Sequence, residues 1–146
     1  MSKTGVNVEI VSPNGKFYKD ELKLRDEVLR KPLGLSLSDD GPDAESDIHI
    51  AAFVNGELSG CLVLTVLNGR DLKMRQVAVR ESERGTGIGA AMVRFSENLA
   101  KKRGFSKIVL HARITSAGFY RKLGYEQEGK EFLEVGIRHI CMFKEL

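Results

Sequence analysis

Val6, Val8 and Ile10 alternate with Asn7 and Glu9, a period of two that predicts a half-buried strand ending at the turn cluster Ser12-Pro13-Asn14-Gly15. Residues 17–30 then change to helical spacing, with Leu24 and Val28 on one face and Leu22 and Leu29 beside them, and Pro32 stops the run. From 32 to 47 the chain is rich in Gly, Ser and Asp and reads as a loop or broken helix. Two apolar runs, 48–54 and 57–66, flank Asn55-Gly56, the pair that favours a type I′ hairpin turn. Asn68-Gly69 repeats the signal before a third run, 71–79, so three successive antiparallel strands are expected. Ile88, Met92, Phe95 and Leu99 restore helical spacing up to Arg103-Gly104. A compact strand at 106–111, a helix through Phe119 to Leu123 closed by Gly124, and two strands at 125–132 and 137–143 finish the chain.

At 146 residues the chain is expected to form a single domain, 1–146, able to bury roughly two thirds of its unfolded surface without a disulfide or metal. Hydrophobic content of 42% and charged content of 29% are those of an ordinary soluble protein. No apolar run is long enough for a membrane span, and Met1-Ser2-Lys3-Thr4-Gly5 lacks a signal-peptide core, so a cytoplasmic location and no membrane partner are expected. A net charge of +3 with interspersed signs argues against nucleic acid, and Lys101-Lys102-Arg103 reads as a cationic helix C-terminus. Cys61 and Cys141 lack C-x-x-C or C-x-x-H partners, and His49, His111 and His139 stand alone, so no metal is expected.

The stretch with chemistry runs from Met74 to Met92. A β-branched strand passes through a charged connection to Gly85, Gly87 and Gly89 and opens directly into the helix. Alternating glycines let the backbone approach a ligand and take positive φ at little cost. A helix N-terminus offers unpaired N–H groups and about half a unit of positive charge, which together attract phosphate. Arg84 adds a full cation at the mouth.

The pattern Arg84-x-x-Gly87-x-Gly89 between strand and helix resembles the acetyl-CoA signature of the Gcn5-related N-acetyltransferase (GNAT) superfamily. A second stretch, Ala117-Gly118-Phe119-Tyr120-Arg121-Lys122-Leu123-Gly124-Tyr125, resembles that superfamily's A-x-x-F-Y-x-K-x-G-F motif. The ending Glu134-Val135-Gly136-Ile137-Arg138-His139-Ile140-Cys141-Met142 is similar to the ElaA/YjcF-like subgroup. The resemblance implies an α/β (α+β) GNAT fold: a mixed, mostly antiparallel twisted sheet of six to seven strands, flanked by about four helices and splayed after strand four. It implies acetyl-CoA or coenzyme A as co-substrate, its pyrophosphate on the amides of Arg84, Gly85, Thr86, Gly87, Ile88 and Gly89, and its pantetheine arm along Val77, Ala78 and Val79. It implies Tyr120 as a cofactor contact and as the general acid for the departing thiolate. Many relatives carry Asn seven residues before this tyrosine, where the present chain has Arg113, a candidate contact to a phosphate or a pantetheine carbonyl. Dimerisation is common in the family, so a homodimer is among the implied partners.

The implied reaction is acetyl transfer to a primary amine of a small molecule or a protein. A lysine amine of pKa about 10.4 is mostly protonated at neutral pH, a deficit of roughly 4 to 5 kcal/mol, whereas an α-amine near 8 gives up only about 1 kcal/mol. A base therefore matters most for lysine-like acceptors. Glu134 and His139 are the candidates retained as base or acceptor contacts, with His111 and His49 behind them. The Val79 backbone N–H or its neighbour is the candidate oxyanion donor. An alternative within the same fold is an acyl-CoA-binding sensor or interaction module without turnover. A dinucleotide-binding reading of Gly85-x-Gly87-x-x-Ala90 fails on context, because Arg80 to Arg84 intervene between strand and glycines and the next strand ends in His111 rather than an acidic residue.

Overall fold

The computed structural model describes residues 6–146; the pentapeptide Met1-Ser2-Lys3-Thr4-Gly5, which carried the expectation of no targeting region, lies outside the described residues. β1 (Val6–Val11) leads to α1 (Tyr18–Arg25), which runs on through a π turn, Asp26–Arg30, and a 3-10 turn, Lys31–Leu33. After a second 3-10 turn, Leu37–Asp40, come β2 (Ile48–Val54), β3 (Glu57–Val66) and β4 (Asp71–Val79). A short turn, Glu81–Glu83, precedes α2 (Ile88–Lys102), and then follow β5 (Lys107–Arg113), α3 (Ala117–Lys122), β6 (Glu126–Glu134) and β7 (Ile137–Glu145).

One seven-stranded sheet, in the order β1-β2-β3-β4-β5-β7-β6, collects every strand of the described residues. All neighbours are antiparallel except β4 and β5, because the chain between them must return along α2 before it pairs again. The hairpin between β2 and β3 turns on Asn55 (φ 51°) and Gly56 (φ 83°), the paired positive angles of a type I′ turn. Three α-helices flank the sheet rather than about four. Pro32 removes a helical donor and Gly34 takes φ 72°, so the stretch after α1 breaks into 3-10 turns instead of a further helix.

Two apolar layers cover the sheet. Ile88, Met92, Val93 and Ala100 of α2, with Ala117 and Tyr120 of α3, pack on Leu62, Leu64, Leu72, Met74, Ile108, Leu110, Ala112, Ile140 and Met142. On the opposite face Leu24 of α1, with Phe17, Val28 and Leu29 beside it, covers Val11, Ala51, Phe53, Leu58, Cys61 and Ala78. Gly60 lies tight against the first interface, where a Cβ would stand 2.9 Å from the Met92 Cε and 3.1 Å from the Ile88 Cγ2, so a side chain there would make Met92 and Ile88 move. Among the described residues no helix is long and apolar enough to cross a membrane.

Candidate functional site

The parallel pairing of β4 with β5 runs only from Asp71↔Lys107 to Met74↔Leu110. Beyond that point both strands continue, β4 to Val79 and β5 to Arg113, but no longer pair with each other. β5 instead stays paired with β7 as far as Arg113↔His139, so the sheet splits along this line. The resulting cleft has a volume of about 820 Å³ and crosses the sheet from one layer to the other.

A bulge in β4 sharpens the split. Between the pairs Val63↔Arg75 and Cys61↔Ala78, β3 has one residue, Leu62, where β4 has two, Gln76 and Val77. Gln76 takes φ 55°, which for a residue with a Cβ costs roughly 1 to 2 kcal/mol and must be held in place. Its side chain is clamped at both ends: Arg25 Nε donates to Oε1 at 2.8 Å, and Nε2 donates to Asp40 Oδ2 at 2.9 Å. The extra residue resets the alternation. Leu72 and Met74 face the α2 layer, Arg75 and Gln76 bond to the α1 side, and Val77 and Val79 return to the α2 layer while Ala78 is buried under α1.

On the α2 side the cleft is lined by Val77, Val79, Arg84, Thr115, Ser116 and Tyr120. Arg84 is extended, Gly85 has φ 78° and Gly87 φ 89°, and α2 begins at Ile88 with no side chain capping its first turn. Its leading N–H groups are therefore left to solvent or a ligand. Gly89 has a packing reason as well, since a Cβ there would stand 3.2 Å from the Phe119 ring. Thr86 is exposed and its hydroxyl donates to the Glu83 carbonyl at 2.5 Å, while the Ile88 side chain is buried in the core. The Ala78 side chain is buried under α1 and that of Ile88 in the core, so these two positions can offer a ligand only their main chain.

Tyr120 is 7% exposed, edge-on to Phe119 and Tyr125, and its hydroxyl finds no partner among the described residues. Burial pushes its pKa up to about 12.

On the α1 side the lining changes character: Leu29, Arg30, Asp40, Lys73, Gln76, His111, Arg113, Glu134 and His139. Glu134 Oε1 meets His111 Nδ1 at 2.8 Å, and Oε2 lies 3.9 Å from His139 Nε2. His139 Nδ1 must donate to the Ile137 carbonyl, 2.8 Å away, because a carbonyl only accepts. That fixes the tautomer of the neutral ring and leaves the Nε2 lone pair facing Glu134. Phe132 packs between the two imidazoles, edge-on to His111 and stacked on His139. The candidates Glu134, His139 and His111 are therefore one constellation, on β5, β6 and β7. His49 is elsewhere, fully buried and bonded through Nδ1 to Glu21 Oε2 at 2.6 Å. Both thiols are pushed up by burial, the reverse of what an acyl-carrying cysteine needs.

A buried polar network underlies the α1 wall. Arg25 donates to Glu21 Oε2 at 3.1 Å and to both oxygens of Asp43 at 2.9 and 3.0 Å, besides Gln76. Tyr18 donates to Asp43 at 2.7 Å, and Arg75 reaches Asp43 and Asp47 at 3.1 and 3.0 Å. Burial alone would raise Asp43, but the hydrogen bonds from Arg25 and Tyr18 and the Arg25 charge hold its carboxyl well below the usual range. Glu21, Asp43 and His49 lie close enough to suggest a metal triad, yet Arg25 Nη1 already bridges the two carboxylates. Sequence reasoning missed this network; its one signal is Glu21 and Arg25, four residues apart on the face that carries Leu24.

With this geometry in view, similarity to known proteins has a physical meaning. Residues 17–125 match the acetyltransferase (GNAT) family profile. The chain belongs to the GNAT family. The uncharacterized N-acetyltransferase YjcF of Bacillus subtilis (strain 168) is 28% identical over 138 residues, covering 93% of this chain and 98% of its own length. Two other curated relatives are spanned over only 53% and 65% of their length. Escherichia coli ElaA superposes with a TM-score of 0.80 at 22% identity, over 96% of this chain and 99% of its own. A GNAT family acetyltransferase from Elizabethkingia anophelis, solved with acetyl-CoA bound, gives 0.75 at 21% identity over 98% and 99%. This GNAT protein therefore shares its overall fold with ElaA and resembles YjcF along nearly its whole length.

Proposed function

We propose that this GNAT protein transfers an acetyl group from acetyl-CoA directly to a primary amine. The observation that carries the reading is the cleft itself, which opens through the sheet with Tyr120 on one rim and the Glu134, His111 and His139 constellation on the other. The residues present fit the donor. The uncapped first turn of α2, with Gly85 and Gly87 at positive φ and Arg84 at the rim, suits a diphosphate. The main chain of Val77, Ala78 and Val79, unpaired toward β5, suits an extended pantetheine arm as a further strand.

In this reading a thioester carbonyl reaches the narrowing of the cleft, where the acceptor amine attacks from the α1 side. Glu134 draws the ammonium form in, and the Nε2 lone pair of His139 takes its proton. The Val79 amide is the candidate donor to the developing oxyanion. Tyr120 then protonates the departing sulfur, and the second proton, shed by the nitrogen as the amide forms, returns Tyr120 to the phenol. With its pKa pushed up to about 12, it stays neutral at any working pH. The transfer to a thiolate of ordinary pKa about 8.5 is then uphill by about 5 kcal/mol, against about 2 for an unperturbed phenol. A thiolate formed in the same dry environment is raised too, which narrows the gap.

The test is free-thiol release from acetyl-CoA against a panel of amines. Turnover that falls at least about a hundredfold in Tyr120→Phe, with acetyl-CoA affinity retained, supports the reading. Tight acetyl-CoA binding with no thiol from any amine would instead favour the non-catalytic sensor.

A further inference from the structure

We propose that the acceptor is a small amine that also carries a carboxylate, and that Arg113 binds that carboxylate from the α1 side of the cleft. This rests on the acetyl-transfer reading of the same cleft. It gives Arg113 a role different from the cofactor contact that sequence position suggests.

The first support is the direction of the side chain. Along β5, Ile108, Leu110 and Ala112 enter the α2 layer, so His111 and Arg113 turn to the other face. Arg113 sits opposite His139 in the β5–β7 register and reaches across the split to the end of the π turn after α1, where Nη2 donates to the Leu29 carbonyl at 3.1 Å. Tyr120, Val77, Val79 and Arg84, the groups assigned to the donor, line the cleft from the α2 side.

The second support is charge. The other arginines of this wall are saturated by the protein's own carboxylates: Arg25 by Glu21 and Asp43, Arg30 by Asp40 at 2.7 Å, Arg75 by Asp43 and Asp47. Arg113 has no carboxylate within ion-pair distance among the described residues. A guanidinium offers five donors in a planar fork, and among the described residues Arg113 gives one hydrogen bond, from Nη2 to a neutral carbonyl. Burial and the neighbouring Arg30 both work against its charge, so an anion arriving there would relieve both. Lys73 is a second cation of the cleft on the same face with no carboxylate partner among the described residues. Against these two stand Asp40, already held by Arg30 and Gln76, and Glu134, held by His111. A polycationic amine would meet uncompensated positive charge. An amino carboxylate would place its amine at Glu134 and His139 and its carboxylate in the Arg113 fork, the geometry in which guanidinium binds carboxylate bidentately.

The experiment is steady-state thiol release with a homologous series of ω-amino carboxylates, each matched with its carboxamide, and with spermidine as the polycationic control. Rates are expressed as kcat/KM of the neutral amine, which removes the difference in ionised fraction between acid and amide. The wild type should prefer acid over amide by about tenfold to a hundredfold at the best chain length, the worth of a charge-assisted hydrogen bond. Arg113→Gln should remove most of that preference by raising KM for the acid, Arg113→Lys should restore part of it, and acetyl-CoA affinity measured by calorimetry should shift by less than about twofold. Equal use of acid and amide, or spermidine as the best acceptor, overturns the proposal while leaving acetyl transfer intact. A loss of acetyl-CoA affinity in Arg113→Gln as large as the loss in kcat/KM also overturns it and returns Arg113 to the donor. Bound acetyl-CoA with no thiol from any amine overturns the transfer reading and this inference with it.

Discussion

Replacing Arg25 with methionine tests whether the buried network beneath the α1 wall is a structural necessity. The side chains are 3% exposed for Arg25, 0% for Glu21 and 7% for Asp43, so methionine keeps the volume but takes from Glu21 its arginine and leaves Asp43 with Arg75 and Tyr18 alone, in a place water scarcely reaches. Removing one partner of a buried ion pair costs about 3 to 5 kcal/mol, because the charge left behind is uncompensated. Glu21 Oε1 and Asp47 Oδ1 are already buried without a hydrogen-bond partner, so the network has no spare donor to re-route. For a domain of 146 residues, about 3 °C per kcal/mol converts this to a fall in Tm of about 9 to 15 °C. The effect carries a pH signature. Asp43 is held below its ordinary pKa, so its ionised form stabilises the fold above the unfolded-state pKa, and that stability is lost as pH falls through the lower folded value. In Arg25→Met the folded Asp43 pKa rises, so the variant should lose less stability than the wild type on acidification from neutral pH. Thermal unfolding across pH 3 to 7 reads both effects. A fall of less than about 1 kcal/mol at neutral pH, or an unchanged acid slope, would refute the reasoning; should Arg25→Met not fold, Asp43→Asn, a milder cut that removes the titrating carboxyl itself, should also flatten the acid loss.

Three further substitutions probe the same structure. Tyr120→Phe should lower kcat at least about a hundredfold with little change in acetyl-CoA affinity. Because the folded Tyr120 stays neutral up to about 12 while an unfolded phenol ionises near 10, the wild type loses stability as pH rises through that window, and Tyr120→Phe should flatten this alkaline loss in thermal melts. Gly87→Val places a β-branched residue at φ 89° directly before α2, at a cost of at least about 1 to 2 kcal/mol, and should weaken coenzyme A binding by calorimetry; retained affinity would count against the amide cradle. Gln76→Gly relieves the positive φ but deletes the clamp to Arg25 and Asp40, so stability should change by less than about 2 kcal/mol while kcat falls; an unchanged kcat would show that the bulge keeps its shape without the clamp.

What could be read from sequence was whatever local pattern dictates. The Asn55-Gly56 hairpin, the helical run from Ile88 to Leu99 and the Gly124 helix stop all appear where periodicity and turn chemistry put them. The opening of the sheet after β4 was expected only because the glycine loop and the Phe119-Tyr120 stretch resemble a known family; nothing in the alternation of 71–79 announces where pairing with β5 ends. The network around Arg25 was illegible because its members come from α1, the loop at 43–47, β2 and β4, and a polar residue at an apolar helix position looks like noise until its partner is in view. The grouping of Glu134 with His111 and His139 was invisible for the same reason, since three lone residues became neighbours only through the β5–β7–β6 register.

The two halves of the cleft are not independent, and the link is one side chain. Gln76 belongs to the strand whose next three residues are assigned to the donor, yet its amide is held by Arg25 and Asp40 of the acceptor wall. Asp40 in turn is fixed by Arg30, which neighbours the Leu29 carbonyl that anchors Arg113. A shift of the 31–47 segment on acceptor entry would therefore act on the backbone angle of Gln76, and through it on the aim of the main-chain groups at Val77 to Val79. Such a chain of bonds ties the loop richest in Gly, Ser and Asp to the strand that the proposed reading assigns to the donor. It also explains why a strained φ is kept at a glutamine, whose side chain can be gripped, rather than relieved at a glycine, whose backbone cannot.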